Sequence, residues 1–221
     1  MKALRAGSIC SFSFMLFLLL NFSGCQTTTY YKTMERFGYH KREMLANRVK
    51  DARNILEETE EQFKSVLVEI RSVTTPGDST YEEKYNKLNK EYEKSREKSL
   101  LITKRINSVE TVAEALFIEW DAELEQYVSN SLRQSSRDKL NQKINQYQHL
   151  INSMKYVERK MDPVLVSFGD QVLYLKHNLN TQAIVSRQKE LVMFEDEVIS
   201  LIREIQNSIG VADTFINSIV E

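Results

Sequence analysis

The sequence predicts an all-α protein, an elongated antiparallel bundle or coiled coil of about four long helices. Turn formers are scarce, with 6 Gly and 2 Pro in 221 residues, whereas β-rich and α/β domains of this size need many. Charged residues make up 28% of the chain and their signs are interspersed, as in long helices. Most directly, apolar residues recur with a 3.5-residue period through four segments.

The four heptad registers step alternately by four and three residues. They run from Leu45 to Val73, from Tyr81 to Trp120, from Leu140 to Leu179 and from Ile184 to Ile219. Further apolar residues beside these stripes widen each apolar face, which suits a helix packed against two neighbours rather than a two-stranded coil. These flanking residues are Leu100, Leu101, Phe117, Ile118, Val157, Val164, Ile199, Ile202, Ile209 and Ile216.

Breaks between the registers predict helices over about 34–73, 79–130, 136–178 and 181–220. Residues 74–79 combine Pro76 and Gly77 with Asp78 or Ser79 as the N-cap. Residues 129–136 are polar and serine-rich, which predicts the second turn. The third turn is expected at 177–181 with Asn180 as its N-cap, the alternative being an unbroken helix.

Pro163 falls inside the third helical segment. It lacks a backbone donor and crowds the carbonyl of Arg159, yet the register continues from Met161 to Leu165. We therefore expect a kink without a break, with Asp162 capping the downstream half. The kink is either simply tolerated or a hinge with a functional role.

The N-terminus has the pattern of a bacterial lipoprotein signal. Lys2 and Arg5 precede an apolar run over residues 9–20, and Phe22-Ser23-Gly24 then leads directly to Cys25. This pattern predicts a signal peptide over 1–24 and lipidation of Cys25, including a palmitoyl chain. A linker over 25–33 would then precede a bundle domain at 34–221. Since Gln26 replaces the Asp of inner-membrane retention, the sequence favours the outer membrane, facing the periplasm.

The N-terminus fits two alternatives to lipidation less well. An uncleaved anchor needs about 20 apolar residues, and this run is far shorter. An ordinary signal peptide would leave Cys25 as a lone free thiol after Cys10 departs, which is uncommon in exported proteins. Phe22 is the one departure from the lipoprotein pattern, because Leu is usual three residues before the lipidated cysteine. Residues 30–42 are aromatic and basic, and either lie on the membrane surface or begin the first helix.

The sequence offers no chemistry for catalysis, so we expect a protein that is not an enzyme. Residues Phe37, Gln146 and Tyr174 precede the three histidines by three positions, so the Glu-x-x-His pairs of di-metal bundles are missing. No glycine-rich phosphate loop is present, and the net charge of −1 gives no reason to bind nucleic acid. Catalytic, cofactor-binding and metal-binding residues are therefore predicted as none, leaving Cys25 as the one modified site.

Several polar and aromatic residues occupy core-facing positions. Glu158 and Arg187 are predicted to mark solvated bundle ends or to pair with neighbours, Glu158 being otherwise a buried acid. The aromatic stripe is expected to be core, with a groove for a hydrophobic ligand as the alternative. This stripe comprises Tyr81, Tyr85, Tyr92, Tyr147 and Trp120.

The chain resembles an uncharacterised family of Gram-negative lipoproteins known as a domain of unknown function. The resemblance rests on residues 34–42 (MERFGYHKR), 49–53 (VKDAR) and 173–180 (LYLKHNLN). It covers nearly the whole chain after the signal peptide, and it implies an all-helical fold without an established activity. Some relatives are similar to coiled-coil ATPases, but no nucleotide loop is present here.

These observations predict a lipid-anchored, non-enzymatic structural or protein-docking module of the cell envelope. Its expected partners are the membrane, through Cys25, and either an envelope protein or a second copy of itself. The alternative is a carrier or chaperone that binds a hydrophobic ligand or client between its helices. No cofactor is expected in either case.

Overall fold

The computed structural model describes residues 41–75, 80–178 and 186–220, which form four long helices. They are α1 (Lys41–Thr74), α2 (Tyr81–Leu124), α3 (Asn130–His177) and α4 (Gln188–Val220). The described residues contain no strand, and the all-α prediction is confirmed. At 1.5 Å per residue, these helices are about 50–70 Å long.

Each helix packs against two antiparallel neighbours, so the helices form an up-down-up-down bundle. Along each seam the residue numbers rise on one helix and fall on the other. The polar contacts that define the four seams are Lys98–Glu58 and Gln62–Glu91 (α1–α2), Thr103–Glu158 and Lys155–Glu110 (α2–α3), Ser218–Gln146 (α3–α4), and Arg53–Asp213 and Gln206–Glu60 (α1–α4).

The heptad positions form the core of the bundle. Every predicted register position that lies within the described residues is buried or half-buried. Phe63, Phe168 and Phe194 are among the largest side chains without solvent contact. Each fully buried side chain of this size contributes roughly 1.5–3 kcal/mol.

Two flanking residues do not join the core. Leu100 is 74% exposed and Ile118 is 64% exposed, so their predicted place on the packed face is wrong. Leu100 is two residues from the buried Ile102, and Ile118 is two residues from the buried Leu116. Because two residues correspond to about 200° of rotation on a helix, both side chains point away from the core.

The second turn lies earlier than predicted. Helix α2 ends at Leu124 and α3 begins at Asn130, with Ser129 as its N-cap, so the predicted turn at 129–136 is wrong. The hydroxyl of Ser129 accepts a hydrogen bond from the backbone N–H of Leu132 at 3.4 Å. Residues 130–139 are mostly exposed, and without a buried face they carry no heptad pattern.

The other helix ends are formed by local capping. Thr80, rather than Asp78 or Ser79, is the N-cap of α2, and it forms a capping box with Glu83. Helix α3 ends at His177, where the Asn178 amide donates to the Tyr174 carbonyl at 2.9 Å. The proposed caps Asp78, Ser79 and Asn180 lie outside the described residues.

Helix α3 runs without interruption through Pro163. The predicted continuity is therefore confirmed, and Asp162 caps no separate helix. The ring of Pro163 is exposed, so its missing N–H lies on the solvent side of the bundle. That position removes one backbone hydrogen bond without disturbing the packed face.

A lysine closes the far end of α1. The ammonium group of Lys84 donates to the carbonyls of Thr75 at 2.8 Å and Val73 at 3.5 Å. Lys84 is itself buried, with 7% of its surface exposed. A cation at a helix C-terminus satisfies free carbonyls and complements the helix dipole.

The opposite end of the bundle, where α1 begins, is called the proximal end below. It contains a small apolar cluster of Trp120, Leu124 and Leu140, against which Phe117 and Ile144 pack. The Trp120 indole N–H donates to the Ser136 hydroxyl at 3.0 Å. The Arg42 guanidinium lies 4.2 Å from the centre of the Trp120 ring, which attaches the start of α1 to this cluster.

Candidate functional site

A groove between α3 and α4 is a concave surface of the described chain. It encloses about 290 Å³ and lies towards the proximal end of the bundle. Its lining residues are Gln146, His149, Gln206, Asn207, Gly210, Val211, Thr214, Phe215 and Ser218. A shallower depression continues it along α3 and adds Asp138, Asn141, Gln142 and Asn145. We refer to both together as the α3–α4 groove.

Packing between the two helices fixes the groove. The Ser218 hydroxyl donates to the side-chain carbonyl of Gln146 at 3.1 Å, and Lys143 donates to the Ser218 backbone carbonyl. Phe215 lies on the core side and is 2% exposed. At Gly210, an added Cβ would meet no atom within 4 Å. The missing side chain therefore leaves open space on the α4 side.

Among the described residues, Asp138 is the one charged side chain that lines the α3–α4 groove; most of the polar side chains there are amides, and carbon forms much of the exposed surface. Between residues 141 and 152, Lys143 is the one Lys, Arg, Asp or Glu, although such residues make up 28% of the chain. The side chains of Asn145, His149 and Asn207 make no hydrogen bond with other described residues. Amides both donate and accept hydrogen bonds. The surface is therefore suited to a neutral ligand that carries donors and acceptors of its own.

Glu60 on α1 contacts Gln206, one of the residues that line the groove. Gln206 donates to the Glu60 carboxylate at 2.8 Å, and Lys64 pairs with the same carboxylate at 2.8 Å. Burial opposes ionisation of Glu60, but these two partners outweigh it and hold its pKa below the usual 4.5. Glu60 is therefore an ionised carboxylate whose charge is balanced by Lys64, so it is not a free charge for a ligand.

A second polar cluster lies inside the α1–α2 seam. Glu91 is 7% exposed and accepts hydrogen bonds from Gln62 and Lys94, each at 2.7 Å. Burial alone would raise the pKa of Glu91. The contacts with Lys94 and Gln62 lower it by more, so its pKa lies below the usual 4.5. Because Gln62 lies on α1 and Glu91 on α2, their hydrogen bond fixes the α1–α2 register, whereas Lys94 is on the same helix as Glu91.

The predicted aromatic stripe is largely part of the core. Tyr147 and Trp120 are buried, and Tyr81, Tyr85 and Tyr92 are half-buried. Burial, aided by Glu110 and Glu114, raises the pKa of Tyr147 to about 12. Tyr92 packs edge-on against Phe168 with ring centres 5.3 Å apart. Tyr92 and Tyr147 therefore contribute to packing along the α2–α3 seam.

The other predicted positions do not converge on a site. Glu158 is half-buried in the middle of the bundle and accepts a hydrogen bond from Thr103 at 2.6 Å. Arg187 stacks 4.8 Å from the Tyr174 ring centre and lies 3.6 Å from Glu190. Cys25, the predicted lipidation site, lies outside the described residues.

Within residues 41–75, 80–178 and 186–220, no three His, Cys, Asp or Glu side chains are grouped as metal ligands would be. In the same ranges, no helix combines the length and the apolar character that crossing a membrane requires.

Over the described residues, the chain is an all-helical bundle of four helices with a charge-poor groove between α3 and α4. A family model described as "Protein of unknown function (DUF2959)" matches residues 30–219. The chain therefore belongs to the DUF2959 family, and the predicted resemblance to an all-helical family of unknown function is confirmed. No curated protein and no solved structure gives a significant match.

Proposed function

We propose that this protein is a lipid-anchored lipoprotein of the outer membrane, facing the periplasm, that docks another envelope protein. The observation that carries the proposal is the α3–α4 groove, with its charge-poor amide lining. The protein performs no chemistry on its partner in this proposal. It presents a rigid surface at a fixed place in the envelope.

The lining of the groove favours a particular kind of partner segment. Asn145, His149 and Asn207 offer unpaired hydrogen-bonding groups, and Val211 adds apolar surface. A charged segment would lose hydration here without gaining an opposite charge. We therefore expect the partner to present a neutral segment rich in backbone amides or small polar side chains.

The lipid anchor is supported by the sequence. Phe22-Ser23-Gly24-Cys25 follows a positively charged start and a short apolar run. A Cys25→Ala variant should lose incorporation of labelled palmitate, and the protein should wash off membranes without detergent. Equal membrane retention of both forms would contradict lipid anchoring.

Site-directed photo-cross-linking in intact cells tests the docking surface. A benzoylphenylalanine would replace Asn145 or Asn207 in the groove, and Asn54 on α1 would serve as the matched control. All three asparagines are exposed, so each replacement should leave the fold intact. We expect one protein adduct from Asn145 and Asn207 that Asn54 does not give, identified by mass spectrometry.

Other outcomes would decide between the alternatives. The same adducts from Asn54 as from the groove would contradict a docking site in the groove. A lipid adduct without protein would favour the carrier hypothesis. That hypothesis requires an enclosed space for a hydrophobic ligand, whereas the α3–α4 groove lies open on the outside of the bundle.

A further inference from the structure

The turn between α2 and α3 exposes a group of apolar side chains. Val128 is 100% exposed, Leu132 is 58% exposed and Tyr127 is 38% exposed. Single exposed apolar residues are common on protein surfaces, but three within six residues form a local patch. Tyrosine beside aliphatic side chains is typical of the interface between water and lipid.

This turn lies beyond the described ends of α1 and α4. Lys143 of α3 contacts Ser218 near the end of α4, and Trp120 of α2 contacts Arg42 near the start of α1. Because neighbouring helices are antiparallel, residues 130–139 extend about 15 Å beyond the described end of α4. We call residues 121–142 the tip hairpin.

The tip hairpin lies at the same end of the bundle as the start of α1. If Cys25 is lipidated, 15 residues lie between the anchor and Lys41. A chain of that length spans at most about 55 Å. Tethering within such a distance gives a high effective concentration at the bilayer, so even a weak apolar contact becomes populated.

The charges of the tip hairpin nearly cancel. Its four acids are Asp121, Glu123, Glu125 and Asp138, and its three bases are Arg133, Arg137 and Lys139. Arg133 and Arg137 both lie within 4 Å of Glu125. Attraction to anionic headgroups is therefore weak, and the patch depends on apolar burial.

We propose that the tip hairpin inserts Tyr127, Val128 and Leu132 into the headgroup region of the membrane that holds the anchor. The inference rests on the lipid anchoring in the proposed function and adds a second membrane contact to it. The bundle is then oriented by two points, the lipid and the tip.

The test uses the full chain, processed and lipidated in its host, with Val128→Cys. After loss of the signal peptide and lipidation of Cys25, this residue is the one free thiol, because the sequence has 2 Cys. An environment-sensitive nitrobenzoxadiazole label is attached, and the protein is reconstituted into phosphatidylethanolamine–phosphatidylglycerol vesicles containing nitroxide lipid. Leu100→Cys, also exposed and apolar, is the matched control.

We expect a blue shift and nitroxide quenching at position 128, neither of which occurs at position 100. High salt should leave the quenching unchanged. Adding Leu132→Asp should abolish it without unfolding, because Leu132 is exposed and an acid suits the first turn of a helix. Equal emission at both positions on vesicles that retain the protein would overturn the inference.

A second arm separates this inference from the anchoring. The Cys25→Ser chain carrying an N-terminal histidine tag is held on vesicles by nickel-chelating lipid, and the same labels are measured. Quenching at position 128 here supports the tip contact even if native lipidation fails. Its absence in both arms, or protection of position 128 by a protein without lipid quenching, refutes the contact.

Discussion

The packing of Phe168 offers a quantitative test of the bundle. Its side chain is 0% exposed. Its ring lies 5.3 Å from the centre of Tyr92 on α2 and 5.2 Å from that of Phe194 on α4. Phe168 on α3 therefore connects three of the four helices, and Phe168→Ala should leave a cavity where they meet.

The expected cost follows from the size of the deletion. Replacing a buried Phe by Ala removes about 3–5 kcal/mol of stability, including the loss of its aromatic contacts. For a chain of this length, this loss lowers the midpoint of thermal unfolding by about 6–20 °C. Val166→Ala on the same helix, with a side chain 66% exposed, should change stability by less than about 0.5 kcal/mol.

Urea unfolding of the lipid-free Cys25→Ser chain measures both variants. Circular dichroism follows all four helices, and fluorescence follows Trp120, the 1 Trp of the sequence, at the proximal end. Coincident transitions would indicate one cooperative unit. A Phe168→Ala loss below about 1 kcal/mol, or one no larger than that of Val166→Ala, would refute the proposed packing.

Three further variants test individual interactions. Lys84→Met should cost about 1–2 kcal/mol in urea unfolding, because the last carbonyls of α1 lose their cation; an unchanged midpoint would contradict the cap. Glu91 has a folded pKa below 4.5, so its contribution is present above that pH and is lost as the pH falls through the folded value. Glu91→Gln should therefore be less stable near neutral pH and lose less stability on acidification. The pKa of Tyr147 is raised from 10.0 to about 12, so its contribution is present below pH 10 and disappears as the pH rises towards 12. Tyr147→Phe should flatten this alkaline loss, and an unchanged alkaline slope would argue against burial of the hydroxyl.

The core of the bundle could be predicted from the sequence because apolar residues recur at the positions that face neighbouring helices. The heptad positions from Leu45 to Val73 form one stripe on α1, and every one of these positions is buried. The start of α3 could not be predicted in this way. Residues 130–139 extend beyond the described ends of α1 and α4, and a helix without a buried face resembles a polar loop in sequence.

The α3–α4 groove was also missed, although a signal for it exists. A groove depends on how two helices approach each other, and the heptad pattern is nearly the same for a filled and an open seam. The run of amides from Asn141 to Asn152, almost without charge, is the local departure that marks this face. Gly210 is the second mark, because glycine inside a helix costs about 1 kcal/mol relative to alanine.

The position of these features narrows the proposed docking function. The α3–α4 groove, the tip hairpin and the start of α1 all lie towards one end of the bundle. A simple spacer would place its binding surface at the end far from the anchor, where Lys84 instead closes α1 against the start of α2. If the anchor is at Cys25, the groove faces a partner close to the membrane. Cross-links from Asn145 and Asn207 should then identify a protein that is itself bound to the membrane, whereas a partner confined to the centre of the periplasm would require the bundle to lie with its proximal end away from the lipid.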